Sequence, residues 1–177
     1  MFPRVLTEAQ QTVLELLSRL PEIRTFYLAV LRHTGEVVVL QEAAGTLTVR
    51  LRGVATSFFR YDYPLLRPPR ESPWRVPIAD PDDIAAMKLA AVAGRGSRKD
   101  FVDLYVYAHE IAPLEHGLAT FRDKYRGVSV DAYHVLRSLT FFDDAEAEAM
   151  PDLLIPLTWD EIKTFFAAEA TRLFRSL

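Results

Sequence analysis

Apolar positions along the chain follow two different periods. Between Leu6 and Leu20 they recur at helical spacing: Val13, Leu16, Leu17 and Leu20 follow Thr7, which can cap a helix, and Pro21 ends it. From Thr25 to Tyr63 the period changes to two. Val37-Val38-Val39-Leu40 follows a turn at Thr34-Gly35, and Leu47, Val49 and Leu51 point to one side of a second strand after Gly45. Arg52-Gly53 is a short hairpin turn, and Val54 to Tyr61 is a further strand. The pattern predicts three or four strands in an antiparallel meander.

Tyr63 to Pro81 then carries six prolines, at 64, 68, 69, 73, 77 and 81. Such a stretch is an extended connector, because each ring removes an N–H and restricts the residue before it. Beyond it the helical period returns. Asp80 can cap a helix over Asp82–Ala93, with Pro81 at its first position and Gly94 and Gly96 after its end. Helices follow over Arg98–Glu110, Pro113–Tyr125 and Asp131–Phe141. Thr158-Trp159-Asp160-Glu161 is a capping box for a last helix running toward Arg175. The expected fold is α+β: an N-terminal helix and small, mostly antiparallel sheet over 1–63, a proline-rich connector over 64–81, and a helical subdomain over 82–177.

Composition narrows the function classes. Of the 177 residues 50% are hydrophobic, enough for a packed core rather than disorder. Lys+Arg number 21 against Asp+Glu 24, a net charge of -3, which argues against holding nucleic acid by bulk charge. The absence of cysteine excludes disulfides, thiolate metal sites and cysteine nucleophiles, and the four histidines lack helical metal-pair spacing. No apolar run approaches the ~20 residues of a membrane span. The first residues mix Glu, Gln and Arg into their apolar positions, unlike a signal peptide, so a cytoplasmic location is expected.

The chemistry-bearing stretch runs from Asp80 to Tyr105. Lys88 interrupts a helix of Ala, Met, Leu and Val, so its ammonium needs water or an anionic partner. Arg95, Arg98 and Lys99 flank Gly96 just before a helix start, where cations and free backbone N–H groups suit a phosphate. Asp100 and Asp103 share a face at i, i+3, and Lys99 can reach Asp103 at i, i+4. The competing reading is a solvated lysine beside a structural ion-pair network. Elsewhere, His33 reads as a strand-end surface residue and His134 as a satisfied interior one. Asp62 is a third carboxylate near the sheet, and Ser57 stands where a further acid would be useful. Phe141, Phe142, Phe165, Phe166 and Phe174 read as core, and 143–148 as a solvated acidic loop.

Ile78-Ala79-Asp80, Met87-Lys88-Leu89-Ala90-Ala91, Arg95-Gly96 and Lys99-Asp100-Phe101-Val102-Asp103-Leu104-Tyr105 together resemble the nucleotidyltransferase-like toxins of the AbiEii/AbiGii family. Phe58-Phe59-Arg60-Tyr61-Asp62-Tyr63-Pro64-Leu65-Leu66 and Phe26-Tyr27-Leu28-Ala29 are similar to it as well. The resemblance implies a nucleotidyltransferase fold and membership of type IV toxin–antitoxin pairs. It also implies use of NTP and Mg²⁺, a cognate antitoxin as partner, and, in an active member, an RNA acceptor. By this analogy Lys88 meets the triphosphate with Arg95 or Lys99 assisting, and Asp100 and Asp103 match the acidic Lys-Asp-x-x-Asp-Leu element as polar or catalytic support.

One departure stands out. In the family Phe-Tyr-Leu-Ala leads into a glycine-rich turn, a helix and a strand bearing Asp-x-Asp. Here Ala29 runs directly into Val30-Leu31-Arg32-His33-Thr34-Gly35. The pairs Asp82-Asp83 and Asp143-Asp144 do not substitute, since adjacent residues on a strand point to opposite faces. No metal ligand is therefore assigned, the sheet is expected to be truncated, and transferase activity is expected to be impaired. The alternative is a non-catalytic interaction module that binds an antitoxin or a homologous subunit. The shortened sheet would expose an edge, which predicts a homodimer or another partner over it.

Overall fold

The computed structural model describes residues 36–128, 131–153 and 155–175. The expected helix over 6–20, the Phe26-Tyr27-Leu28-Ala29 strand and His33 lie outside them. The chain divides into two compact units. One holds the described residues 36–62 with Arg70–Ile78; the other holds Tyr63–Pro69 and the residues from Ala79 onward.

The first unit is a three-stranded antiparallel sheet in the order β1 (Val37–Ala43), β2 (Thr46–Leu51), β3 (Val54–Phe59). Its faces follow from the alternation of β2. Leu47, Val49 and Leu51 are buried, and their register partners Val39, Val54, Thr56 and Phe58 share that face. Thr48 lies on the other face, hydrogen-bonded to Ser57 at 3.1 Å. That bond and the exposure of Ser57 make it a surface residue of the sheet. The β2–β3 hairpin turns through Arg52 and Gly53 at φ 48° and 84°. Two positive φ angles match the right-handed twist of the flanking strands. The β1–β2 register shifts between Val39 and Gln41, a bulge at Leu40. Asp62 pairs with Arg60 at 2.8 Å, with both side chains exposed.

The second unit is helical: α1 (Pro81–Gly94), α2 (Arg98–Glu110), α3 (Leu114–Lys124), α4 (Ala132–Ser138), α5 (Asp143–Glu146) and α6 (Trp159–Phe174). Asp80 caps α1 by accepting from the Asp82 N–H, ahead of Pro81. Ala85, Leu89 and Val92 of α1 pack with Phe101 and Leu104 of α2, Leu118 and Phe121 of α3, and Ile162 and Phe166 of α6. Gly117 lets α3 approach closely: a Cβ there would lie 3.2 Å from the Tyr107 ring.

Three local expectations change. Asp143–Glu146 forms a short helix rather than a loop, because Ala145 is fully buried and holds it inward. Phe166 is core at 0% exposure, but Phe141 is 57% exposed, because α4 ends at Ser138 and the helical register does not carry to residue 141. His134 is exposed, not interior, and its Nε2 pairs with the Ala93 carbonyl at 3.1 Å, satisfying the C-terminal end of α1.

Candidate functional site: a lysine between two aspartates

Lys88 sits in the second half of α1, and Asp100 and Asp103 in the first half of α2. The turn Arg95-Gly96-Ser97 folds one helix back onto the other. Gly96 has φ 57°, a left-handed value that glycine adopts without steric cost. The Lys88 ammonium lies 2.9 Å from Asp100 Oδ1 and 2.6 Å from Asp103 Oδ2. Asp100 Oδ2 accepts from the Ser97 hydroxyl at 2.5 Å. Burial of the ammonium pulls its pKa down, but hydrogen bonds to Asp103 and Asp100 and their charges outweigh this and hold it above the usual lysine value. Lys88 is therefore a cation throughout the physiological range. Arg95 and Lys99 are exposed on either side of the turn.

Arg98 belongs to the scaffold instead. Its Nε donates to the Ala145 carbonyl at 2.9 Å, its guanidinium stands 4.7 Å from the Trp159 ring centre, and its backbone N–H donates to Glu148 Oε2 at 2.8 Å. A carboxylate distant in sequence thus caps α2, whose N-cap Ser97 has turned its hydroxyl toward Asp100.

This arrangement does not fit a divalent metal. Mg²⁺ demands an octahedral shell of oxygens at ~2.1 Å. Here an ammonium already stands between the two carboxylates, where the ion would have to be. Among the described residues no group of three or more His, Asp or Glu gathers in a way that could hold a metal ion.

A second cluster of charged groups gathers at the start of α1. Asp80-Pro81-Asp82 does have Asp-x-Asp spacing, but Pro81 makes it the start of a helix rather than a strand. Asp82 accepts from the Tyr107 hydroxyl at 2.7 Å and pairs with Arg67 at 2.7 Å and His116 Nε2 at 3.0 Å. Burial raises the pKa of Asp82, but the hydrogen bonds from His116 and Tyr107 outweigh it and leave the group below the usual carboxylate range. Burial and the bond to Asp82 push the Tyr107 hydroxyl well up. Beside it, Asp83 pairs with Lys124 at 2.6 Å and accepts from the backbone N–H groups of Leu66 and Arg67, while Lys124 also donates to the Pro64 carbonyl. The cluster ties 63–69 to α1 and α3. The signal that could have found it is the concentration of three aspartates at one helix start.

The small antiparallel sheet and the helices that follow it make an α+β protein, consistent with a nucleotidyltransferase-like fold. The chain belongs to the family described as "Nucleotidyl transferase AbiEii toxin, Type IV TA system", whose profile matches residues 19–174. It is also 37% identical over 132 residues to an uncharacterized protein of Aquifex aeolicus (strain VF5), aq_aa25; the match covers 72% of this chain and 61% of that protein. This chain thus spans somewhat less than two thirds of the length of the curated relative it matches. No solved structure matches it.

Proposed function

We propose that this chain is a member of the AbiEii family whose transferase chemistry is impaired, and that its site keeps a cationic half able to bind polyphosphate. The observation that carries this reading is the pairing of Lys88 with both carboxylates of the Lys-Asp-x-x-Asp-Leu element. Nucleotidyl transfer relies on divalent cations to neutralise developing charge on the phosphate oxygens. The chain after Ala29 lacks the Asp-x-Asp strand that would bring them, and Asp100 and Asp103 both pair with Lys88. Lys88, Arg95 and Lys99 contribute charge toward an NTP, Asp100 holds Lys88 in place, and no step is carried by a metal. The protein acts in the cytoplasm with a cognate antitoxin as partner. Loss of electrostatic stabilisation of this kind costs about 3–4 kcal/mol of barrier per missing group. Incubation with labelled NTP, Mg²⁺ and total RNA is expected to give label at or near background. Robust labelling that vanishes in Lys88→Ala would overturn the reading.

A second reading, an interaction module that binds an antitoxin or a homologous copy, draws support from β1. Val38, Val39 and Leu40 are 48%, 36% and 46% exposed, at an edge of the sheet among the described residues. Light scattering at high concentration tests self-association: a dimer mass favours this reading, and a monomer mass removes the homologous copy from it.

A further inference from the structure

The two partners of Lys88 are not equivalent. The Asp100 side chain is 3% exposed, and its second oxygen is taken by the Ser97 hydroxyl. Asp103 is 48% exposed, and Lys88 itself is 24% exposed. A buried carboxylate cannot leave its cation without stranding a charge. An exposed one can turn into water at little cost, since such pairs contribute little to stability. The ammonium therefore has one permanent anion and one exchangeable anion. Arg95, the C-cap of α1, and Lys99, one turn before Asp103 in α2, add two exposed cations at the turn that joins these helices.

We propose that Asp103 is a built-in counter-ion that an incoming polyphosphate displaces from Lys88, while Asp100 stays bonded as the positioning residue. The inference rests on the reading of this site as one for polyphosphate. It adds a gate: the empty site is neutralised from within, and only a ligand carrying more charge than one carboxylate competes effectively. A singly charged carboxylate or phosphodiester is then a poor ligand and a triphosphate chain a good one. No bond is made or broken; one ion pair is exchanged for another.

The test is calorimetric titration with inorganic tripolyphosphate, without divalent cations and at low ionic strength, on the full chain and three variants. Asp103→Asn, which removes the competing charge, is expected to bind about two- to five-fold more tightly, the range set by the strength of exposed ion pairs. Lys88→Met is expected to lose most of the binding, and Asp100→Asn to weaken it by releasing the ammonium from its anchor. A merely structural role for Asp103 predicts the opposite sign, weaker binding on substitution. If Asp103→Asn binds no better than the parent while Lys88→Met still loses affinity, the displacement is wrong and the polyphosphate reading stands. If Lys88→Met binds as well as the parent, both fall. Carbon NMR of the unaltered protein checks the same point without a variant: saturation with tripolyphosphate should move the Asp103 carboxyl resonance and leave Asp100 in place. Equal shifts, or no shift at Asp103, would overturn the proposal.

Discussion

Asp83 and Lys124 are both 0% exposed and 2.6 Å apart, so each holds the other's charge in a place water does not reach. Removing one partner of such a pair strands the remaining charge, typically at a cost of about 3–5 kcal/mol. Lys124→Met is expected to destabilise by that order in denaturant titration. Asp83→Leu combined with Lys124→Met should recover only part of the loss, because the N–H groups of Leu66 and Arg67 then lack their acceptor. The pH dependence has a definite sign. Burial raises the pKa of Asp83, but the bond from Lys124 and those from the Leu66 and Arg67 amides outweigh it and leave it below the usual value. A carboxyl whose pKa is lower folded than unfolded stabilises fully above its unfolded value of about 3.9 and loses that contribution as pH falls through its folded value. Asp82 behaves likewise. The melting temperature should be nearly level from pH 7 to about pH 5 and drop below about pH 4. In Asp83→Asn it should start lower and drop less.

At the scale of elements, caps and turns were the most legible features of the sequence, because each depends on a few adjacent residues. The capping box of α6 forms as its four residues predict: Thr158 Oγ1 accepts from the Glu161 N–H, and the Glu161 side chain accepts from the Thr158 N–H. Thr158→Ala should cost about 1 kcal/mol, measured by thermal or denaturant unfolding. The Arg52-Gly53 turn and the limits of α2 were equally readable. The cap of α2 was not, since Glu148 reaches Arg98 across fifty positions of sequence. Glu148→Gln should also destabilise, by about 0.5–1 kcal/mol, through the weakened interaction with the helix N-terminus. The same limit explains Phe141, whose place in an apolar stripe held only while α4 was assumed to continue. At the site, the spacing of Asp100 and Asp103 was readable as one face of a helix. That Lys88, rather than Lys99, reaches between them depends on how α1 folds back onto α2, which no local pattern encodes. The Asp82–His116–Tyr107 and Asp83–Lys124 groupings join residues from three helices and were invisible for the same reason.

For the whole molecule, the core of the helical unit rests on large side chains from several elements. Phe166 meets Phe101 at 5.3 Å between ring centres and is fully buried. Phe166→Ala should therefore cost about 3–5 kcal/mol and loosen α2 and α6 together. The proposed polyphosphate site needs only α1, α2 and the turn between them. One local arrangement decides the reading of the site: the Lys88 ammonium lies between Asp100 and Asp103. Carbon NMR of the aspartate carboxyl groups during a Mg²⁺ titration examines it directly. The Asp100 and Asp103 resonances are predicted to stay in place, with the Lys88 side-chain nitrogen unshifted. A saturable shift of both carboxyl resonances, with release of the Lys88 ammonium, would contradict the account.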